Sequence, residues 1–311
     1  MADSPIISII IPVFNGDYIE ECMESCLYQT LPPEDLEIIV IDDASTDDTV
    51  ERILKMSDSF PIHLIKMKKN GGPAAARNAG LSVAKGEYIS FLDADDMMKA
   101  DKLEKQLAFC RSNSSIEAVI SGIEEIDKND ALIRNLVRTF SDDLKTQVEI
   151  LFLDNLHTIT STLFFKRNLL DSTGLMNPGL LNLEDMEFAL KLLQYTTMYY
   201  YPECLTVRRV LNTGLSYSVT ESIFIKSRKE FLTSAIPMHP FLEVLVNRYW
   251  ALNYTRLGRI LQRQGDGIRA RHYHYLSLRH KFNWIGLFGY MLSYFPENIQ
   301  QQIAGNTWKT S

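Results

Sequence analysis

Short runs of mostly consecutive apolar residues, rich in Ile and Val, constrain this chain more than any other feature: Ile6 to Val13, Glu37 to Ile41, His63 to Lys66, Tyr88 to Leu92 and Ala118 to Gly122. Runs that do not alternate with polar residues belong to strands covered on both faces, which is the situation of parallel sheets. Between them lie amphipathic stretches of helical spacing at Tyr18 to Gln29, Thr46 to Ser57, Ala74 to Val83 and Asp101 to Ser112. The alternation predicts an α/β fold, a mostly parallel sheet of Rossmann-like type with helices on both faces, over residues 1 to 125. Helix starts agree with it: Ser45 precedes an acidic first turn, and Pro73 stands where the first helical residue after Gly71-Gly72 falls.

A sheet of this kind binds ligands outside the carboxyl ends of its strands. Three polar clusters stand there: Pro12-Val13-Phe14-Asn15, Asp42-Asp43, and the tetrad Asp93-Ala94-Asp95-Asp96. Three carboxylates crowded at the end of a buried strand repel one another and lose hydration, so the tetrad implies a cation or donor hydroxyls, and with them a phosphorylated ligand. Pro12 removes a ladder donor and turns Phe14 and Asn15 toward the crevice, where a ring and an amide can meet a base; a plain Asn-Gly turn is the competing reading. Asp43 is read as a ligand contact because Ser45 is expected to cap the next helix. Asn70-Gly71-Gly72-Pro73 brings backbone amides to the same edge, and Arg77 follows within reach of the acidic cluster or a diphosphate.

Ser8 to Gly16, Ile39 to Asp47, Gly71 to Gly80 and Gly86 to Asp96, four motifs in order, resemble the family-2 nucleotide-sugar glycosyltransferases of the GT-A fold. Downstream, Thr162 to Arg167, Gly174 and Leu183 to Leu192 resemble the segment leading to that family's Glu-Asp pair, here Glu184-Asp185. The resemblance implies inverting transfer from a nucleotide sugar, a UDP-sugar by expectation, to a hydroxyl of a glycan or lipid-linked glycan acceptor in cell-surface polysaccharide biosynthesis. It implies Asp185 as general base with Glu184 orienting it, Asp95 as ligand of Mg²⁺ or Mn²⁺, and Asp93 on the ribose. The donor pocket would comprise Pro12, Val13, Phe14, Asn15, Asp43, Asn70, Gly71, Arg77, Asp93 and Ala94. One departure stands out: family members often carry Arg-X-His after the Glu-Asp helix, and this chain has Arg209-Val210-Leu211.

Residues 126 to 240 read as the acceptor side of the same domain, with a helix at Leu144 to Leu153, a strand at Thr160 to Phe165, a helix at Leu183 to Leu193, and strands at Met198 to Tyr201 and Leu205 to Leu211. From 241 the pattern is helical and the charge changes sign: nine Lys and Arg against three Asp and Glu give +6 in a chain of total charge −7, leaving −13 on residues 1 to 240. This helical carboxyl-terminal region is read first as a cap whose apolar residues are core, with peripheral membrane contact through 241 to 311 as the alternative. No stretch reaches membrane-spanning length and no export signal is evident, and four unpaired cysteines suit reduced thiols, so a cytoplasmic protein is expected, peripheral to the inner membrane face if the alternative holds. Nucleic acid is not an expected partner, since the motif-bearing region is acidic. Three rival functions remain at this level: a polyprenyl-phosphate sugar synthase, a receiver-like signalling module, and a nucleotide-sugar binder without activity. A receiver places its acidic pair after the first strand, whereas Asp42-Asp43 follows the second.

Overall fold

The computed structural model describes residues 4–57, 61–138, 141–154, 159–211, 220–296, 298–301 and 303. They form two compact units, residues 1–151 with 155–219, and residues 152–154 with 220–311. The first unit holds strands β1 Ile7–Val13, β2 Leu36–Asp42, β3 Ile62–Lys66, β4 Tyr88–Phe91, β5 Met97–Met98, β6 Ala118–Ile126, β7 Leu132–Leu136, β8 Phe164–Lys166 and β9 Met198–Arg209. Its helices are α1 Ile19–Leu27, α2 Thr49–Ser57, α3 Gly72–Val83, α4 Lys102–Ser112, α5 Leu144–Asp154, α6 Ile159–Thr162, α7 Leu170–Thr173 and α8 Glu184–Leu192; the last turn of α5 counts with the second unit.

The sheet runs in the order β3-β2-β1-β4-β8-β6-β9-β5, with β7 beside β6. The strands read from the sequence as parallel are so: β1 pairs in parallel with both β2 and β4, and β2 with β3. Beyond β4 the sense changes, because β8 runs antiparallel to both β4 and β6, while β6 and β9 are parallel.

Alternation along β1 separates the two layers of helices. Ile7, Ile9, Ile11 and Val13 pack with Ile19, Cys22, Met23 and Cys26 of α1, Ile53 of α2, and Leu103, Leu107 and Cys110 of α4. Ile10 and Ile41 point the other way, toward α3, whose Gly80 lies so close that a Cβ there would sit 2.6 Å from Ile10 Cγ2. A ring cluster of Phe91, Phe165 and Phe188 (centroids 5.6–6.3 Å apart) ties β4, β8 and α8 together. Helices thus cover both faces, as the apolar runs require.

Several expectations are corrected. The stretch Thr160 to Phe165 is not one strand: Thr160, Ser161 and Thr162 end the short helix α6, and the strand begins at Phe164. Their buried carbonyls need donors outside a ladder, and receive them from Lys102 Nζ on Ser161 O (2.7 Å) and Gln106 Nε2 on Thr162 O (3.0 Å). The two segments around Met198 and Leu205 are one strand, β9, interrupted by register shifts opposite Ser121 to Ile123. The four cysteines are free, and Cys22, Cys26 and Cys110 are buried as expected.

The second unit is helical: α9 Glu221–Met238, α10 Val246–Arg263, α11 Gly267–His280 and α12 Trp284–Leu292. Besides residues 152–154 it takes in the chain from Thr220 on, because α9 lies ahead of residue 241, where the basic bias sets in. Thr220 Oγ1 accepts Ile223 N–H and Asp266 Oδ1 accepts Arg269 N–H, two side-chain caps. Phe152, Phe231 and Tyr249 stack at its centre, with centroids 4.8–6.1 Å apart.

Candidate active site

The carboxyl ends of β1, β2 and β4 and the first turn of α8 carry the polar side chains that the sequence singled out. Asp43 follows β2, and both of its oxygens accept backbone N–H groups, Oδ1 from Gly71 (2.7 Å) and Oδ2 from Gly72 (2.8 Å). Burial raises its pKa against the pull of those two amides. The grip fixes the start of α3, where Gly72 takes φ +79° and Pro73 occupies the first turn. A Cβ on Gly71 would lie 2.9 Å from that of Ala75, so only glycine lets the chain pass this close.

Ser45 does not cap α2, which starts later, at Thr49, with Asp47 Oδ1 accepting Thr49 N–H (3.0 Å). Ser45 Oγ instead accepts Asn15 N–H (3.0 Å), and Asn15 Oδ1 accepts Thr46 N–H (2.8 Å). Asn15 holds a left-handed φ of +50° through these bonds, and Phe14 beside it is 48% exposed at the mouth of the edge. Pro12 and Val13 end β1 against Ile41 and Asp42, and Asn70 is exposed just ahead of the Asp43 grip.

Arg77 connects the α3 start to the remaining acids. It is buried, with Nη2 on Asp93 Oδ1 at 2.7 Å and Nη1 on Glu184 Oε1 at 3.1 Å. Burial disfavours its charge, but Asp93 and Glu184 together hold its pKa above the ordinary value. Its Nε is buried without a hydrogen-bond partner among the described residues, an orphan donor inside a polar site.

Glu184 and Asp185 open α8 after two residues of positive φ, Asn182 (+61°) and Leu183 (+138°). Strain of this kind persists where the surroundings over-determine it. Here Glu184 Oε2 accepts Leu183 N–H (3.1 Å) while Oε1 receives Arg77, and Asp185 Oδ1 accepts Met186 N–H (2.7 Å). Burial and the adjacent Glu184 carboxylate push Asp185 up to about 7, with Arg77 opposing. A carboxylate poised there exchanges protons at neutral pH.

In the tetrad, Asp93 is half-exposed beside Arg77, Ala94 and Asp95 are partly exposed, and Asp96 is buried. Burial and repulsion from Asp93 raise Asp95 to about 6; burial and repulsion from Asp95 and Asp93 push Asp96 well up. Asp96 Oδ1 accepts Arg209 N–H (3.2 Å). Arg209 then fans out: one guanidinium nitrogen meets Glu21 at 2.6 Å, the other meets Asp130, and the cation lies 4.1 Å above the Tyr18 ring. In the Arg209-Val210-Leu211 segment, which departs from Arg-X-His at Leu211, the arginine is thus firmly anchored.

Ser161 and Lys102 belong to this site although sequence reading passed over them. Ser161 Oγ accepts Asp93 N–H (3.1 Å), its carbonyl takes Lys102 Nζ and Thr206 Oγ1 (2.9 Å), and burial lowers Lys102 to about 8. The available signal was a lysine on the apolar face of α4, in line with Gln106 and Cys110.

Among the described residues no group of three or more His, Cys, Asp and Glu side chains stands ready to hold a metal ion. The partly exposed Asp95, kept above the usual carboxylate range by burial and Asp93, is the chemistry of an oxygen donor that a hard cation would relieve, its coordination completed by ligand oxygens and water. The residues present fit such an ion.

Residues 8–173 match the model of the family described as Glycosyl transferase family 2. The chain is 32% identical over 221 residues to TuaG of Bacillus subtilis, a glycosyltransferase named for teichuronic acid biosynthesis, covering 68% of this chain and 82% of that one. An uncharacterized glycosyltransferase of Haemophilus influenzae is 48% identical over 111 residues, and that match spans 44% of its length. Among solved structures, S. aureus TarS 1-349 in complex with UDP-GlcNAc superposes with a TM-score of 0.64 at 20% identity, covering 95% of this chain and 91% of that one. The mannosyltransferase PcManGT from Pyrobaculum calidifontis, in complex with GDP-Man and Mn²⁺, gives 0.58 at 18% identity, covering 99% of this chain and 89% of that one. These two share the fold: a mixed α/β sheet of GT-A type with a helical carboxyl-terminal part. With four ordered motifs at the strand ends and a family match over more than half its length, this chain is a family 2 glycosyltransferase.

Proposed function

We propose that the enzyme transfers a sugar from a UDP-sugar to a hydroxyl of a glycan or lipid-linked glycan acceptor, with inversion, in cell-surface polysaccharide biosynthesis. The observation that carries the reading is Asp185, a carboxylate held at about 7 and linked through Glu184 and Arg77 to Asp93 at the strand ends. In its ionised form Asp185 takes the proton of the acceptor hydroxyl as oxygen attacks the anomeric carbon. Glu184, fixed by Arg77 and by Leu183 N–H, orients the turn that carries Asp185. Attack opposite the departing diphosphate inverts the configuration.

On the donor side, Phe14 and Asn15 border the base beside Pro12 and Val13, and Asp93 and Ala94 meet the ribose. Asn70 and the orphan Nε of Arg77 supply donors near the diphosphate, with Asp43 holding the N–H groups of Gly71 and Gly72 so that the chain passes close to the ligand there. Asp95 would hold Mg²⁺ or Mn²⁺, whose charge offsets that building on the leaving diphosphate. Support for a UDP-sugar comes from the UDP-GlcNAc complex of TarS, for a metal from the Mn²⁺ complex of PcManGT, and for a polysaccharide product from TuaG.

A panel of UDP- and GDP-sugars, each with and without Mg²⁺ or Mn²⁺, tests this by release of nucleoside diphosphate. A UDP-sugar turned over only with metal, and a product whose anomeric proton coupling shows inversion, is expected. Turnover that survives full chelation, or retention of configuration, overturns the reading.

A further inference from the structure

Helix α12 is amphipathic in the wrong sense for a helix that faces water. Its inward positions are Gly286, Gly289 and Leu292, and a Cβ on Gly289 would lie 2.4 Å from the His274 ring of α11, so backbone meets side chain at closest approach. Gln262 Nε2 of α10 donates to Gly289 O at 2.9 Å and completes the seat. With its small residues turned in, the helix turns its large ones out: Trp284 is 75% exposed and Met291 51%, flanked by Phe282 at 58%, Ile285 at 43% and Phe295 at 54%. Trp284 and Met291 follow the i, i+7 spacing of one helical face, and Phe295 follows the end of the helix. Asn283, which caps the helix by accepting Gly286 N–H, fixes which face that is.

The exposed charges that lead into this face are basic: Arg279 and Lys281 precede the helix, and no Asp or Glu occurs between Gly267 and Pro296, whereas Arg269 further back is paired with Asp266 and Glu221. Arg271 lies 3.7 Å over the Tyr294 ring just after the helix. A second copy of the chain docked here about a two-fold axis would set these cations against their own duplicates. An anionic bilayer surface meets both properties at once, taking the aromatic and aliphatic side chains into the headgroup boundary and pairing the cations with lipid phosphate. We infer that α12 with its flanks, Lys281 to Phe295, is a peripheral docking element for the anionic leaflet of a membrane. None of the helices among the described residues is long and apolar enough to cross one, so the contact is interfacial.

Sedimentation of the full chain with phosphatidylcholine vesicles containing phosphatidylglycerol, without any sugar nucleotide, tests this independently of the transfer chemistry. Binding to the mixed vesicles that weakens in high salt and is much poorer with phosphatidylcholine alone is expected. Trp284→Ser with Ile285→Ser removes exposed side chains and should lower the partition coefficient by at least about tenfold. Arg279→Glu with Lys281→Glu keeps the apolar face and should lower it by about fivefold or more per charge on the anionic vesicles alone. Both variants should keep the wild-type melting temperature. Equal binding to neutral and anionic vesicles, no binding to either, or a concentration-dependent dimer that the Trp284 and Ile285 substitutions dissociate would each overturn the inference.

Discussion

Replacing Asp185 by Asn should stabilise this enzyme at alkaline pH while removing its activity. In the fold the carboxyl titrates at about 7 against 3.8 for an ordinary aspartate. At about 1.36 kcal/mol per unit, the ionised group costs the fold at most about 4 kcal/mol at pH 8, and solvent screening of a partly exposed side chain brings this to about 2 kcal/mol. The sign follows from proton uptake. Below pH about 4 the carboxyl is protonated in folded and unfolded chains alike, and Asn is its equivalent. Between about 4 and about 7 the folded chain keeps a proton that the unfolded chain has lost, so the wild type loses stability as pH rises through that window. The substituted amide carries no such charge and still offers an oxygen to Met186 N–H. Urea unfolding of both proteins at pH 4, 6 and 8 should show curves that coincide at pH 4 and diverge to about 2 kcal/mol at pH 8, the variant being the more stable. A variant no more stable than wild type at pH 8, or a gap of the same size at pH 4, refutes the argument.

Arg77→Met removes the cation that holds Asp185 down and leaves Asp93 and Glu184 uncompensated. It should cost about 3 kcal/mol in urea unfolding at neutral pH and shift the acid limb of the rate profile above 7; an unmoved limb contradicts the electrostatic link. Asp95→Asn should abolish the dependence of donor affinity on Mg²⁺ or Mn²⁺ in calorimetric titration, and a variant whose metal response matches wild type means the ion is held elsewhere. Gly86→Ala would put a Cβ 2.4 Å from Ser8 N and 2.7 Å from Ile7 C, backbone atoms of β1, so the melting temperature should fall by an amount corresponding to about 3 kcal/mol; an unchanged melt means the strand can shift freely.

The sheet from β1 to β4 was legible because β1, β2 and β4 are buried on both faces and therefore carry apolar residues at consecutive positions, while the edge strand β3, with His63 and Lys66 exposed, follows from its short apolar run between two helices. Strand β5, of two residues, and β8, of three, carry no pattern of their own, since their pairing with β9 and with β4 and β6 is decided by distant chain. Thr160 to Thr162 read as strand because β-branched residues favour it, yet Lys102 and Gln106 from α4 supply donors that make a short helix possible. At the site, the acids were visible as types in unusual places. The expected capping by Ser45 failed because Asn15, thirty positions earlier, reaches Ser45 and Thr46 first, and α2 starts only after them. Arg77 was legible as a cation near the acidic edge, but its role as the tie between Asp93 and Glu184 depends on a partner 107 positions further along the chain. Ser161 carried no signal of its own, and Lys102 only its place in line with Gln106 and Cys110 on the apolar face of α4; the carbonyl it meets belongs to a segment 59 positions away.

The proposed function divides two tasks at this site, with Asp185 to act on the acceptor and the strand-end cluster to hold the donor. Donor affinity and single-turnover transfer, measured side by side for wild type and Asp185→Asn with the sugar nucleotide found in the panel, separate them. Affinity within about threefold of wild type, with the transfer step slowed by about a thousandfold or more, is the expected result. Transfer within about tenfold of wild type, or a loss of rate matched by an equal loss of donor binding, would contradict it.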